Sequence, residues 1–233
     1  MNIKSILLAS TLLATSLTMS AQMVNELCQC HVRALGGKTV VNAIRTLKIT
    51  QVGTSQGTNM PMITILIPGK AYYQKIRTSM GTMVSCVYGT KGWTYSSYPQ
   101  LRTTSLSEPM AKSMLIQSKF YGPLYDYYVN GDSSDVKSIT KLGMENIDRE
   151  KCYHLEVIYK SGYKANVYLS SHDYMIYKVV SPTGVIKYGN YKKMKGVMIP
   201  RYIEIINGRG NITAIVSKIN INSEINNVLF TRP

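Results

Sequence analysis

The pattern of hydrophobic and polar residues predicts an amphipathic helix near the start of the chain, followed by many strands. Val24–Leu35 has helical periodicity, and Gly36-Gly37 ends it as C-terminal glycines do. The face expected to be buried consists of Val24, Leu27, Cys28, His31 and Leu35. A second short helix is expected over Thr39–Arg45.

A first series of strands follows, with apolar runs bounded by turn residues. Met60–Ile67 is apolar on both faces and stops at Pro68-Gly69, so both faces should be covered. The other strands of this series are Leu47–Val52, Ala71–Thr78, Thr82–Tyr88 and Trp93–Tyr95. Ser107 followed by Pro109 predicts a helix start, with the helix over Met110–Ser118. These elements indicate an antiparallel meander followed by a helix.

A polar loop, Asn130–Asp135, separates these elements from a second strand series. The expected strands are Val136–Lys141, Lys151–Tyr159, Tyr163–Leu169, Tyr174–Ser181, Val185–Tyr191, Val197–Ile206 and Ile212–Ile221. So many regularly spaced strands favour a curved sheet or a barrel. No Pro/Gly/Ser-rich linker divides the chain, so a single domain over residues 22–233 is expected, mainly β in an α+β class.

Residues 1–21 have the layout of a secretion signal. One lysine precedes the apolar stretch Ile6–Leu17, and the small residues Ser20-Ala21 follow it. The apolar stretch is too short for a membrane-spanning helix. Cys28 is not preceded by the small residues that a lipid-modified cysteine requires. The sequence therefore predicts a soluble periplasmic protein, cleaved near Ala21.

The chain is strongly basic, with a formal net charge of +15. Such a charge attracts anionic partners, which outside the cytoplasm are phospholipid headgroups, lipopolysaccharide phosphates and acidic polysaccharides rather than nucleic acid. An anionic membrane surface is therefore one expected partner, although scattered lysines can also serve solubility alone. Tyrosine is abundant, with 18 residues against 2 Phe and 1 Trp. Tyrosine rings can pack in strands or line a partly apolar groove.

No catalytic constellation is evident. The available imidazoles are His31, His154 and His172, and none lies in a nucleophile-elbow, zincin or P-loop motif. His154 and Glu156 share a strand face, which is common on solvated strands. The sequence therefore predicts no catalytic residues, no cofactor and no enzyme activity.

Cysteines and one histidine form the cluster Cys28-Gln29-Cys30-His31, whose residue types could bind a metal. On a helix, however, Cys28 and Cys30 project about 200° apart, so they cannot hold one ion together. No metal site is predicted. The four cysteines of the chain allow three complete disulfide pairings. A link between Cys86 and Cys152 is preferred because both lie in predicted strands, but all three pairings stay open.

Three blocks, in order, resemble the LolA/LppX-type family of bacterial periplasmic lipoprotein and lipid carriers. Ile65–Tyr73 is similar to the family's strand, proline turn and aromatic strand. Val84–Tyr95 resembles the strand, glycine turn and Trp-containing strand that follow, and Asn226–Pro233 resembles the closing strand with its Phe-x-x-Pro ending. Leu106–Ser118 occupies the place of the family's lid helix, and Tyr188–Pro200 looks like a strand pair of the family's lipoprotein-sorting members.

The resemblance implies an antiparallel sheet curled into an incomplete barrel, with helices covering its concave side over an apolar cavity. It also implies that acyl chains are the ligands. The residues expected to line this cavity are Tyr72, Trp93, Tyr95, Met110 and Met114. No latch residue is implied, because Met60–Ile67 contains no arginine where the carriers have one.

The sequence hypothesis is a periplasmic, non-catalytic carrier or binder of lipids or lipid-anchored proteins. Two alternatives stay open at this point. One is an envelope sensor or accessory subunit that binds a protein partner, and the other is a hydrolase of envelope material. The oligomeric state, the ligand and the disulfide pairing are not determined by the sequence.

Overall fold

The computed structural model describes residues 22–208 and 210–231. The expected signal, residues 1–21, lies outside the described residues. The chain divides into two compact units. The first unit comprises residues 22–34 and 123–182, and the second comprises residues 35–122 and 183–231 apart from residue 209. A single domain over residues 22–233 stays a prediction.

The described helices and strands are numbered in chain order. The α-helices are α1 (residues 22–35), α2 (Lys38–Asn42), α3 (Glu108–Leu115) and α4 (Gly122–Asn130). The strands before α3 are β1 (Leu47–Ser55), β2 (Thr58–Ile67), β3 (Ala71–Arg77), β4 (Thr82–Tyr88), β5 (Lys91–Ser96) and β6 (Arg102–Ser105). The strands after α4 are β7 (Val136–Ile147), β8 (Glu150–Tyr159), β9 (Lys164–Ser170), β10 (Ile176–Ser181), β11 (Gly184–Gly189), β12 (Lys192–Met194), β13 (Val197–Ile199), β14 (Tyr202–Asn207) and β15 (Gly210–Ile221).

Most strands of the described chain belong to one antiparallel sheet. Its 13 strands follow the order β6-β5-β4-β3-β2-β1-β15-β14-β11-β10-β9-β8-β7. The sheet does not close into a barrel. Strands β12 and β13 pair separately as a two-stranded sheet. The expected fold class, mainly β in an open antiparallel sheet with helices, is confirmed.

In the first unit, α1 follows the predicted periodicity, and the middle of β8 alternates in burial. All members of the predicted α1 face are buried, and the His31 Nδ1 atom lies 2.7 Å from the carbonyl oxygen of Tyr174. Along β8, Leu155 and Val157 are fully buried, whereas His154 on the opposite face is only half-buried. One strand face and one helix face therefore supply the apolar core of this unit.

Helix α4 is an element that the sequence pattern did not predict. Its Leu124 and Tyr125 side chains are fully buried, and Asp126 is also buried. The carboxylate of Asp126 accepts hydrogen bonds from Asn130 Nδ2 at 2.7 Å, Ser134 Oγ at 2.8 Å and the Asp135 backbone N–H at 2.9 Å. These bonds satisfy the buried carboxylate and join the end of α4 to the segment that enters β7.

One strand prediction is wrong, and one strand was not predicted. The expected strand Val197–Ile206 is two strands, β13 and β14, separated by Pro200 and Arg201. A tight turn at Lys195 and Gly196, both with positive φ, returns β13 to pair with β12, whereas β14 pairs with β11 and β15. Strand β6 was not predicted, because it is only 4 residues long and consists of an arginine and hydroxyl residues.

Candidate functional site

Strands β2–β5 of the second unit have two different faces, which are fixed by their pairing. One face contains the mutually paired residues Leu66, Tyr72, Val87 and Gly92. The opposite face contains the mutually paired residues Ile65, Tyr73, Cys86 and Trp93. We call the first the helix face and the second the tail face, after the elements that cover them.

The C-terminal segment of the described chain covers the tail face. A short 3-10 helix, Asn227–Phe230, brings the buried Phe230 against Cys86 and Trp93. The Trp93 Nε1–H donates to the carbonyl oxygen of Phe230 at 3.3 Å, and the Phe230 ring lies 5.5 Å from the Tyr88 ring. The tail face is therefore a packed core that the protein's own side chains fill.

Helix α3 covers one end of the helix face. Leu106, just before α3, donates its backbone N–H to the Gly92 carbonyl oxygen at 2.8 Å. A Cβ atom added to Gly92 would lie 2.8 Å from Leu106 Cδ1, so only glycine allows this approach. Ala111 in α3 is fully buried. The helix therefore packs over β3–β5 through small residues.

The helix face continues across β1, β15, β14 and β11 of the same unit. In β1, Gln51 pairs with Met62 of β2 on one side and with Val216 of β15 on the other. A Cβ atom added to Gly53 of β1 would contact Met62 and Ile212, so these side chains lie on the same face. The apolar residues that continue this face while remaining half-buried are Met60, Ile76, Ile186, Tyr188, Ile203, Ile205 and Ile212. These side chains form an apolar surface that is only partly covered.

Charge is confined to the other side of these strands. The charged residues of described strands β1–β5, β11, β14 and β15 are Lys48, Lys75, Arg77, Lys91, Lys187, Glu204 and Lys218. By strand alternation and register, all of them lie on the side of the tail face. Within these strands, the helix face therefore has no charged side chain to oppose an apolar ligand. A charge just outside them is that of Arg201, before β14, whose guanidinium Nη1 lies 3.5 Å from the Val216 carbonyl oxygen.

Two tyrosines of the helix face have desolvated hydroxyl groups. Burial raises the pKa of Tyr188 to about 12 and also raises the pKa of Tyr72. Desolvation disfavours the charged phenolate, so both phenols stay neutral. The helix face therefore combines apolar side chains with neutral phenols.

Solved structures share the fold over most of the chain. A DUF1329 family protein from Desulfovibrio piger is 14% identical, with a TM-score of 0.54, over 89% of this chain and 97% of that chain. A candidate outer membrane lipoprotein-sorting protein domain from Vibrio parahaemolyticus is 15% identical, with a TM-score of 0.54, over 89% and 98%. A LolA superfamily protein from Nitrosomonas europaea is 14% identical, with a TM-score of 0.51, over 86% and 96%. The protein has a LolA-like fold.

This likeness is one of structure alone, because the identities lie far below those that carry function. No protein-family model matches the sequence, and no curated protein sequence matches it. The expected resemblance to the LolA type is confirmed at the level of the fold. Within the LolA-like fold, the candidate site must therefore be argued from this chain's own residues.

The structure divides the five residues expected to line a cavity. Tyr72 lies on the helix face and is buried, whereas Trp93 and Tyr95 lie on the tail face. On α3, Met110 is 58% exposed and Met114 is half-buried. Tyr72 and the α3 methionines therefore share one side of the sheet, and Trp93 and Tyr95 share the other. Their role in binding stays a prediction.

Residues of β11, β14 and β15 were missed as site candidates. Ile203 and Ile205 alternate with Glu204, and Ile186 and Tyr188 alternate with Lys187. This period of two was a usable signal for one apolar face. It could not show that the face joins that of Tyr72, because β1 and β15 pair residues far apart in sequence.

His31 and His154 have structural partners in the first unit. His154 lies between Glu145 and Asn166, with His154 Nδ1 2.6 Å from Glu145 Oε1 and His154 Nε2 2.9 Å from Asn166 Oδ1. Its ring also stacks on Tyr168 at 4.7 Å between centroids. His31 is buried in α1, and His172 is exposed. His154 is therefore held by hydrogen-bonding and stacking partners on the surface of β7–β9.

All four cysteines are free thiols, so the preferred Cys86–Cys152 link is wrong. Cys86 packs under the C-terminal segment, with its sulfur 3.9 Å from the Phe230 carbonyl oxygen. Cys152 is buried in β8. Cys28 is buried in α1, while Cys30 is only half-buried. All four residues lie within the described part of the chain. Membership in a strand did not indicate that two cysteines are bonded.

We expect Cys30 to be the one thiol that reacts quickly with Ellman's reagent in the native protein at pH 8. Burial raises the pKa of Cys28 and Cys86 to about 12 and that of Cys152 to about 11, so these three have almost no reactive thiolate. Cys30→Ser should remove the fast phase, and guanidinium should expose every remaining thiol. Fast reaction of native Cys30→Ser, or fewer than four thiols in unfolded wild-type protein, would contradict this expectation.

Other features of the described residues add no site. No group of three or more His, Cys, Asp or Glu residues there is arranged to hold a metal ion. No helix within residues 22–208 and 210–231 has the length and apolar character needed to cross a membrane. An open depression of about 490 Å³ at the end of α2 includes Arg45, Thr46, Asn222 and Glu224 in its lining. Its mixed polar lining differs from the apolar helix face.

Proposed function

We propose that the protein is a non-catalytic carrier or binder of lipids or lipid-anchored proteins, and that acyl chains lie on the helix face. The observation that carries this proposal is the uncharged, apolar and only partly covered surface across β11, β14, β15 and β1–β4. The LolA-like fold supports it, because two solved structures with that fold are named for lipoprotein sorting or for the LolA superfamily. The signal expected at residues 1–21 supports action in the periplasm.

The energetics of an acyl chain favour such a surface. Each methylene removed from water contributes about 0.8 kcal/mol, so a long chain requires a large apolar area rather than a small pocket. The half-buried isoleucines of β11, β14 and β15 supply area without a charge that would have to be desolvated. The neutral phenols of Tyr72 and Tyr188 can form hydrogen bonds with the polar end of an acyl chain or pack along its methylenes.

In this proposal, α3 is a cover over one end of the binding surface. Tyr72, Met110 and Met114 keep the role proposed from the sequence, since flexible methionines can pack against varied chains. Trp93 and Tyr95 would support the binding surface from the opposite side of the sheet, as part of the packed tail face. Ile203 and Ile205 join the proposed binding residues.

Adjacent residues of β14 provide a matched test. Ile205 lies on the helix face and Ile206 on the opposite face, so Ile205→Glu and Ile206→Glu make the same change on the two sides. We expect Ile205→Glu to weaken binding of cis-parinaric acid by about tenfold or more, because the carboxylate would lose hydration next to an acyl chain. Ile206→Glu should stay within about twofold of wild type, since Ile206 is already exposed. Fluorescence titration measures both.

Three controls make the result decisive. Trp93 emission and thermal unfolding report whether each variant is folded, and Ile205→Ser repeats the test without a charge. Equal effects of the two glutamates would contradict binding on the helix face. Wild-type protein that binds no cis-parinaric acid, and that carries no lipid when purified from its native source and analysed by mass spectrometry, would contradict the proposed function itself.

A further inference from the structure

Two turns at one end of β3–β6 expose large apolar side chains to solvent. Met80 is 64% exposed in the turn between β3 and β4. Tyr98 is 54% and Leu101 is 77% exposed in the connection from β5 to β6. Met83, at the start of β4, is also exposed. We call Met80, Met83, Tyr98 and Leu101 the tip patch.

The two turns of the tip patch are bonded to each other. The Thr82 N–H donates to Ser97 Oγ at 2.8 Å, and the Ser97 N–H donates to the Thr82 carbonyl oxygen at 3.0 Å. A Cβ added to Gly81 would lie 3.1 Å from the Tyr98 Cβ atom. The first turn is closed by hydrogen bonds between Thr78 and Gly81 in both directions. The exposed side chains are therefore presented together on an ordered support.

Positive charge borders this patch. Arg77 ends β3 and Arg102 begins β6, and both are exposed. The sequence contains no Asp or Glu between Glu26 and Glu108, so strands β1–β6 contribute only lysine and arginine charges. Glu108 lies in α3 and is paired with Lys112 at 2.7 Å. Every charged side chain of β1–β6 is thus positive.

We propose that the tip patch docks on an anionic phospholipid bilayer. Met80 and Leu101 would enter the acyl boundary, and Tyr98 would lie at the headgroup level, where amphipathic rings are favoured. Arg77 and Arg102 would bind lipid phosphates, for which the guanidinium group supplies paired donors. Apolar insertion and basic residues together give stable attachment where one alone gives a weak one.

The charge pattern favours a bilayer over a protein partner or a second copy of this chain. A second copy that docks through the same patch would bring the same acid-free strands against it and would be repelled. A bilayer surface offers many phosphates to a patch whose charged neighbours, Arg77 and Arg102, are basic. The net charge of +15 strengthens this attraction at low ionic strength.

The test is sedimentation with vesicles of phosphatidylglycerol and phosphatidylcholine, compared with phosphatidylcholine alone. Wild-type protein should sediment with the anionic vesicles and lose this binding at high salt. Met80→Glu/Leu101→Glu should reduce the partition coefficient by about tenfold or more, since it removes the inserted groups and adds repelled charges. Arg77→Gln/Arg102→Gln should weaken binding and flatten its salt dependence. All four side chains are exposed, so these variants should fold normally.

Leu142→Glu/Met144→Glu is the matched control. It makes the same change of charge at two exposed apolar residues of β7, outside the tip patch, and should stay within about threefold of wild type. Leu101→Trp adds a direct probe, whose emission should shift to shorter wavelength with anionic vesicles and be quenched by brominated lipids. Unchanged emission of that probe would overturn insertion of the patch.

The docking proposal and the acyl-chain proposal fail separately. Ile205→Glu should still bind anionic vesicles, and Met80→Glu/Leu101→Glu should still bind cis-parinaric acid. Wild-type protein that ignores anionic vesicles would overturn the docking proposal. Undiminished binding of Met80→Glu/Leu101→Glu to anionic vesicles would also overturn it. So would analytical ultracentrifugation showing that these substitutions only abolish a dimer of the protein.

Discussion

Replacing Phe230 with alanine is expected to lower the free energy of unfolding by about 3 kcal/mol, as for other large-to-small changes in a packed core. The Phe230 ring is buried against Cys86, Trp93 and Tyr88, so its removal leaves a cavity on the tail face. Trp93 is the protein's single tryptophan, and its emission should shift to longer wavelength when water reaches it. Denaturant unfolding followed by Trp93 fluorescence measures both effects.

Val228→Ala is the control, because Val228 lies in the same 3-10 helix but is largely exposed. Its unfolding free energy should stay within about 0.5 kcal/mol of wild type. If Phe230→Ala left both the Trp93 emission maximum and the unfolding midpoint unchanged, the C-terminal segment would not be the cover of the tail face.

Changing Asp126 to asparagine is expected to destabilise the protein by about 2 kcal/mol, because buried donors lose a charged acceptor. The Asp126 carboxylate receives bonds from Asn130, Ser134 and the Asp135 backbone, and one amide group cannot accept from all of them. Amide hydrogen exchange should also accelerate in α4 and at the start of β7. Chemical denaturation and exchange mass spectrometry measure these changes.

Asp132→Asn provides the comparison for this site. Asp132 is exposed in the loop after α4, and its contact with Lys160 is made by its backbone carbonyl oxygen at 2.6 Å. The substitution leaves that oxygen in place, so stability should change by less than about 0.5 kcal/mol. Equal losses in Asp126→Asn and Asp132→Asn would mean that general charge, rather than the buried hydrogen bonds, stabilises this loop.

The sequence predicted those elements whose local pattern agrees with their packing. In α1, helical periodicity placed Leu27, Cys28 and His31 on the buried face, and the structure buries all three. Helix α4 was missed because Tyr125, Tyr127 and Val129 belong to residue types that favour strands. Its stability comes from burial of Tyr125 and from the Asp126 hydrogen bonds, and these depend on residues outside the helix.

The candidate site was only partly predictable for a related reason. Alternation can separate Tyr72 from Tyr73, since neighbours in a strand point to opposite faces, but it cannot say what covers either face. The answer depends on Leu106, which follows β6, and on Phe230, which contacts these strands from a distant part of the chain. Long-range pairing of β1 with β15 likewise joined two apolar patches that the sequence presents separately.

The division of the sheet into a filled face and an open face has a consequence for how this protein can evolve. A substitution behind Trp93 changes whether the chain folds. If acyl chains bind the helix face as we propose, a substitution at Ile203 or Ile205 changes instead which chain is bound. The preference of the proposed site for acyl-chain length or branching could therefore change without loss of the fold. A laboratory selection for new cargo should accumulate its changes on β11, β14 and β15.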